Sequence, residues 1–437
     1  MSPDLLADPR TGVVRALDPA AIPAHFPSSF ALTTSRIADT SRFGGWASDP
    51  AGAGYAFADP AAVRAAAIGE AVERYCGNLV PPGLVRATHE SLGPRALDPT
   101  TFAFFSPEQY AAPGFPAVPM TTDLEMEWVA GRDLVDDAEV LVPAGPVWPS
   151  YHSPVGARRG PLTNPVIQAG LAAGPDRDFA VWGGLREVVE RDAMTLSWYG
   201  GLGVRSLDPP AWLASFAAGP DGLLATRFVA LASPFGLPVV AALVTDPTTG
   251  LLSLGTGVDP DPVTAATKAF AEALQLQLVL GDYDDPDGAF AAAAAHPHSP
   301  LKPWRADRAY GSAYLPDRSD VVDYACHLQL HLDPAVRAEF ETELAGRTTD
   351  RVALESLAGP VRGTGDVVDV LTLAGHRVVA VDVTTPDVAP MGVTVVRVLV
   401  PGLYSNAPLG LPFLGGTRLA AARRSSPFPV PHTPLPH

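Results

Sequence analysis

Apolar and polar positions along this chain alternate between long helical runs and shorter, β-branched runs. Three helices are expected. The first opens at Asp59-Pro60, an N-cap followed by proline at the first helical position, runs through AAVRAAAIGEAVERYCG and ends at Gly77. The second, DFAVWGGLREVVERDAMTLSWY, carries apolar residues at helical spacing. The third opens at Asp261-Pro262, continues as VTAATKAFAEALQLQLVLG and stops at Gly281. Between and after them, FVALASPFGLPVVAALVTD, LLSLGTGVD, HRVVAVDVT and VTVVRVLVPG read as buried strands, with EVLVPAGPVW strand-like as well. SRFGGWASDPAGAG reads as a loop leading into the first helix, GLAAGP as a turn, and residues 90–120 as proline-rich loop or short strand. Residues 282–320, with DYDDPDGAF and HPHSPLKPW, suggest a mobile excursion over the surface. The pattern is that of a mixed α/β chain with sheets flanked by helices.

Composition narrows the class. With 437 residues, 47% hydrophobic and 18% charged, the chain is globular and long enough for a large core. Its formal charge of −17 repels phosphate backbones and anionic lipid, so no nucleic acid and no membrane partner is expected. Cys76 and Cys326 are the only cysteines, which suits a reducing compartment. No apolar run reaches 18 residues and no basic-then-apolar start is present, so a cytoplasmic location is expected.

Candidate chemistry lies on the helices. Glu70-x-x-Glu73-Arg74 and Glu187-x-x-Glu190-Arg191 share one spacing, and the third helix offers a variant in Lys268 with Glu272-x-x-Gln275. Residues three apart share a helix face, so like charges there repel unless a cation lies between them. One such motif alone is usually an intrahelical ion-pair network. Two copies plus a third helix, all flanked by apolar residues, call for a binding reason. Carboxylates from Glu70, Glu73, Glu187, Glu190 and Glu272, with the Gln275 carbonyl, suit Mg²⁺ beside substrate phosphates, which Arg74 and Arg191 would clamp. The chain has no G-x-x-x-x-G-K-[ST], and no G-x-G-x-x-G follows a strand, so the nucleotide site is a non-standard one.

These residues resemble the YcaO-domain family, in particular its azoline-forming cyclodehydratases, over roughly residues 45–437. The resemblance rests on AIGEAVERYCG, GLAAG followed by LREVVERDA, KAFAEALQLQ, VDVTTPD…VTVVRVLVPGL, LGGTRLA and the tail Pro427-Phe-Pro429-Val-Pro431. It implies a YcaO-type fold of mixed sheets and helices, an N-terminal segment 1–45, an ATP-binding catalytic domain 46–420 and a proline-rich tail 421–437 that reaches the active site. It also implies that ATP and Mg²⁺ are held by Glu70, Glu73, Arg74, Glu187, Glu190, Arg191, Glu272 and Gln275, and that Pro427, Pro429, Pro431 and His437 belong to the catalytic centre. Rigid prolines dock with little entropy loss.

By the same resemblance, a Cys thiol or Ser/Thr hydroxyl of a ribosomally made precursor peptide attacks the preceding amide. ATP phosphorylates the resulting oxygen, and loss of phosphate leaves an azoline, as in thiazole/oxazole-modified microcins. An E1-like or related protein would bind the leader peptide, and a homodimer follows by family analogy. Ala66, Pro175, Gln277 and GAGYAF stand where the family often has Ser, Asn, Arg and Gly-Lys-Gly, which implies rearranged nucleotide contacts. Two alternatives stay open: thioamide or amidine formation with an external nucleophile, and a non-catalytic scaffold subunit. Cys326, His327 and His331 lack the fourth ligand of a structural zinc site. His296 and His298 read as solvent-exposed, and Cys76 as core filler.

Overall fold

In the computed structural model, which describes residues 3–44, 48–152 and 160–437, three sheets surround the three long helices. The first is an antiparallel meander of β1 (Val14–Pro19), β2 (Phe30–Ile37) and β3 (Ala51–Phe57). Helix α1 (Pro60–Gly77) follows β3 directly and packs on it. In the second sheet β4 (Val85–Ala87), β5 (Met126–Asp133), β13 (Val379–Asp382), β14 (Thr394–Leu399) and β7 (Leu171–Gly174) lie side by side, and β6 (Glu139–Pro143) pairs with β5. The third sheet has the order β11 (Leu251–Val258), β10 (Val239–Asp246), β9 (Ala225–Leu231), β8 (Val204–Asp208), β12 (Thr348–Ala353). Only the β8–β12 pair is parallel there.

Helix α2 (Arg177–Trp198) crosses from β7 and β14 to β11, so its apolar face joins the cores of two sheets. Helix α3 (Pro262–Tyr283) lies on β10 and β11 through buried Ala265, Ala266, Ala269 and Ala273, whose small side chains permit a close approach. Gly255 of β11 completes that seam: a Cβ there would sit 2.3 Å from Ala269 O and Ala273 N. Each helix is N-capped by an aspartate, Asp59, Asp176 or Asp261. In each case a glutamate, Glu70, Glu187 or Glu272, follows eleven residues later. The structure therefore contains three strand-to-helix units, a repeat deeper than the shared Glu-x-x-Glu-Arg spacing.

Two local expectations are corrected and a third is refined. In SRFGGWASDPAGAG, the closing AGAG is the start of strand β3 and not loop, and its glycines answer to packing: a Cβ at Gly54 would meet Val63 O at 2.0 Å and Ala67 N at 2.3 Å of α1; residues 45–47 of that stretch lie outside the described residues. In GLAAGP, LAAG is strand β7 and not a turn, paired with β14 from Leu171↔Arg397 to Gly174↔Thr394. Residues 282–320 do run over the surface, but a few side chains anchor them. Phe290 stacks on Tyr283 at 3.6 Å, and Leu301, Tyr310 and Tyr314 are buried in one apolar cluster. The residue-90–120 region forms short helical turns such as Pro107–Ala111. Cys76 is fully buried in a core, whereas His296 and His298 are exposed. Among the described residues no helix is long and apolar enough to cross a membrane.

After β11 and α3 come helices α4 (Tyr324–Leu330), α5 (Pro334–Arg347), α6 (Thr364–Leu373) and α7 (Thr417–Ser425). From α7 the chain turns back along α5 and α2 toward β11, where Leu254 N–H donates to Pro436 O at 2.8 Å.

Candidate active site

The glutamates of α1, α2 and α3 meet in one partly buried cluster, each held by a donor from the strand region preceding a helix. Ala53 N–H donates to Glu70 Oε2 at 2.9 Å, Ala173 N–H to Glu73 Oε1 at 2.7 Å and Gly170 N–H to Glu187 Oε2 at 2.9 Å. Thr256 N–H donates to Glu272 Oε2, and Thr256 Oγ1 donates to Glu190 Oε1 at 2.9 Å. The repeat explains this geometry: a strand N–H meets a carboxylate on the helix that packs over it.

Two arginines thread the carboxylates. Arg74 pairs with Glu70 at 2.9 Å and Asp49 at 3.2 Å, and its Nη1 donates to Gln168 Oε1 at 2.9 Å. Arg191 lies 3.5 Å from Glu190 Oε1 and 3.8 Å from Glu187 Oε1. The intrahelical pairs Glu70–Arg74 and Glu187–Arg191 that the bland reading foresaw are thus present, but inside a cluster shared by three helices.

The tail ends in the same place. His437 Nε2 is 3.0 Å from Arg191 Nη1 and 3.6 Å from Glu272 Oε1. Pro427 and Pro429 are exposed and Pro431 is buried, so the P-x-P-x-P segment forms the approach, and the residues after it reach the carboxylates. Gln275 is half-buried one turn beyond Glu272 and makes no hydrogen bond to the cluster among the described residues. Gln277 faces elsewhere, donating to Val244 O at 2.7 Å and Ser253 Oγ at 3.1 Å to hold β10 and β11. Ala66 and Pro175 are exposed. His327 and His331 are buried in separate contacts, with Leu409 N and Pro434 O respectively, and burial lowers their pKa values to about 3 and about 4.

Crowding and partial burial of the carboxylates shift their protonation. Burial pushes Glu73 up to about 8, reinforced by Glu70 and opposed by the Ala173 N–H. Burial likewise raises Glu190 to about 7, with Glu272 adding and Arg191 subtracting. Glu70 is raised by burial against the pull of Arg74. At Glu272 burial acts upward too, but His437, Arg191 and the Thr256 N–H outweigh it and hold the carboxyl below the usual carboxylate range.

Several residues here escaped the sequence reading, among them Thr256, Tyr55 and Arg397. Tyr55 on β3 faces the cluster, and burial together with Glu272, Glu70 and Glu190 drives its phenol well above its usual value. Arg397 on β14 is fully buried and donates to the carbonyls of Val147, Ile167, Gln168 and Ala169, so it shapes the segment whose Gln168 and Gly170 touch Arg74 and Glu187. The R in VTVVRVLV was the available signal, a charge inside an otherwise apolar strand.

Mg²⁺ and ATP fit this donor set. Five carboxylates face two cluster arginines, and protons retained near neutral pH mark positions where a hard cation would be favourable. Among the described residues no three His, Cys, Asp or Glu groups converge tightly enough to cage an ion. The arrangement suits an ion held by one or two carboxylates and completed by phosphate oxygens and water.

Comparisons with known proteins agree. The profile described as YcaO cyclodehydratase, ATP- and Mg²⁺-binding, matches residues 54–404. A heterocyclase solved in complex with substrate and cofactor is 24% identical, with a TM-score of 0.64, over 93% of this chain and 52% of its own. YcaO from Methanopyrus kandleri bound with AMPPCP and Mg²⁺ is 21% identical, with a TM-score of 0.58, over 89% and 86%. The E. coli microcin synthetase McbBCD complex gives 16% identity and a TM-score of 0.59 over 95% and 96%. At these identities the likeness speaks for the fold. The chain spans 53% and 63% of the lengths of the two curated relatives it matches. With the family profile covering most of its length, the chain belongs to the YcaO cyclodehydratase family, an ATP-dependent family whose cofactors are ATP and Mg²⁺.

Proposed function

We propose that this chain is an ATP-dependent cyclodehydratase subunit that converts Cys, Ser or Thr residues of a ribosomally made precursor peptide to azolines. The observation that carries the reading is the end of the proline-rich tail lying inside the three-helix cluster, with His437 between Arg191 and Glu272. A nucleotide site alone would not need a proline-rich segment threaded into it.

Bound MgATP supplies the phosphoryl group that turns an amide oxygen into a leaving group. The chain's own residues supply the setting. Glu70, Glu73, Glu187, Glu190 and Glu272 are the candidate Mg²⁺ ligands, and Arg74 and Arg191 offset phosphate charge where water is scarce. His437 brings an imidazole, which can accept the proton that the attacking thiol or hydroxyl loses. Precursor recognition through a separate leader-binding protein, E1-like or related, fits the resemblance of this chain to a synthetase solved as a complex.

The test is ADP release by the purified protein with Mg²⁺-ATP, precursor peptide and partner, read beside the peptide's mass. Peptide-dependent ADP release with loss of one water per modified residue, abolished by Glu190→Gln, supports the reading. Intact peptide and partner binding with no ADP release overturns it in favour of a scaffold.

A further inference from the structure

The tail is held by a clasp remote from the carboxylate cluster, built from one face of α5. Glu343 Oε1 accepts the His432 N–H at 2.7 Å, and Glu343 Oε2 accepts the Thr433 N–H at 3.3 Å and the Thr433 hydroxyl at 2.6 Å. One turn on, Arg347 Nη2 donates to Pro429 O at 2.7 Å, and its guanidinium lies over Trp198 at 5.1 Å and Phe428 at 5.9 Å. Trp198 Nε1 in turn donates to Thr433 O at 2.9 Å. Proline lacks an N–H, so the tail has few amides to donate, and Glu343 takes two of them in succession. Thr433 is buried, which makes its hydroxyl costly to leave without an acceptor.

We propose that Glu343 and Arg347 are positioning residues that fix the register of the tail and thereby set His437 against Arg191 and Glu272. The assignment rests on the function proposed above for the tail's end. Neither residue belongs to the carboxylate cluster, so neither should matter for nucleotide binding. A proline-rich segment slides easily because consecutive prolines present similar surfaces. A carboxylate gripping two adjacent N–H groups and a hydroxyl at one point removes that freedom.

The experiment uses the full chain as wild type, Glu343→Ala, Glu343→Gln and Thr433→Val. Three quantities are measured: hydrogen exchange of the C-terminal segment, affinity for AMPPCP with Mg²⁺, and peptide-dependent turnover. In Glu343→Ala the His432 and Thr433 amides should exchange at least about tenfold faster, and turnover should fall by about tenfold to a hundredfold, as misplacement of a reacting group does. AMPPCP affinity should stay within about twofold. Glu343→Gln, which keeps an acceptor oxygen, should recover part of both losses, and Thr433→Val should lie between. Unchanged exchange in Glu343→Ala, or a released tail with turnover intact, overturns the proposal. The exchange readout decides the clasp even where the wild type shows no turnover, so a failure of the proposed function is seen separately.

Discussion

At the scale of single residues, the site is governed by the cost of burying carboxylates. Glu73 and Glu190 hold their protons up to about 8 and about 7 because desolvation outweighs the nearby arginine and N–H groups. The folded chain therefore keeps protons that the unfolded chain releases near 4.5, so stability declines as pH rises from 4.5 through about 8. Below that window both states are protonated and this contribution is level. In the nucleotide-free protein, thermal unfolding should show the decline, and Glu73→Gln should lessen it, leaving only the part below about 7 that Glu190 contributes. A variant that tracks the wild type across the window would remove Glu73 from this role. Arg397 offers the opposite test. Its guanidinium satisfies four backbone carbonyls in the core, so Arg397→Met should cost about 3 kcal/mol or more in chemical denaturation. Arg397→Lys should recover little, because an ammonium cannot span four acceptors in a plane.

At the scale of elements, the fold repeats one device three times: a strand, an aspartate cap, and a helix carrying a glutamate back over the strand's own N–H. The helices were legible in the sequence because Asp59-Pro60, Asp261-Pro262 and the apolar period of α2 are local signals. The strands β3 and β7 were not. Both are rich in glycine and alanine, and their small residues reflect a helix lying close above them, a demand that periodicity does not register. Gly255 makes the same demand in β11. Its replacement by Ala should cost about 2 to 3 kcal/mol, since the added carbon meets α3 backbone and not a movable side chain. Calorimetric unfolding of Gly255→Ala would check this, and a change within experimental scatter would mean that α3 can lift away freely.

At the scale of the whole molecule, three sheets bring residues from positions 49 to 437 around one cluster. The matched Glu-x-x-Glu-Arg spacing, with the variant Glu272-x-x-Gln275 on the third helix, was enough to single out its carboxylates and arginines. Tyr55 and Thr256 were not legible, because nothing in GAGYAF or LGTGV marks a residue that three-dimensional packing will place beside glutamates from other helices. The tail was legible as proline-rich, but its anchoring through Glu343 depends on α5, about ninety residues earlier in the chain. Residues 282–320 read correctly as surface, but their anchoring was not legible, because their polar, proline-rich text hides the few aromatics that pin them.

The measurement that bears most directly on the account is the stoichiometry between ADP formed and water lost from the precursor peptide, taken with Mg²⁺-ATP and partner present. The account predicts one ADP for each water lost, with both absent in Glu190→Gln. Water loss without ADP, or ADP formed at the same rate without peptide, would contradict it.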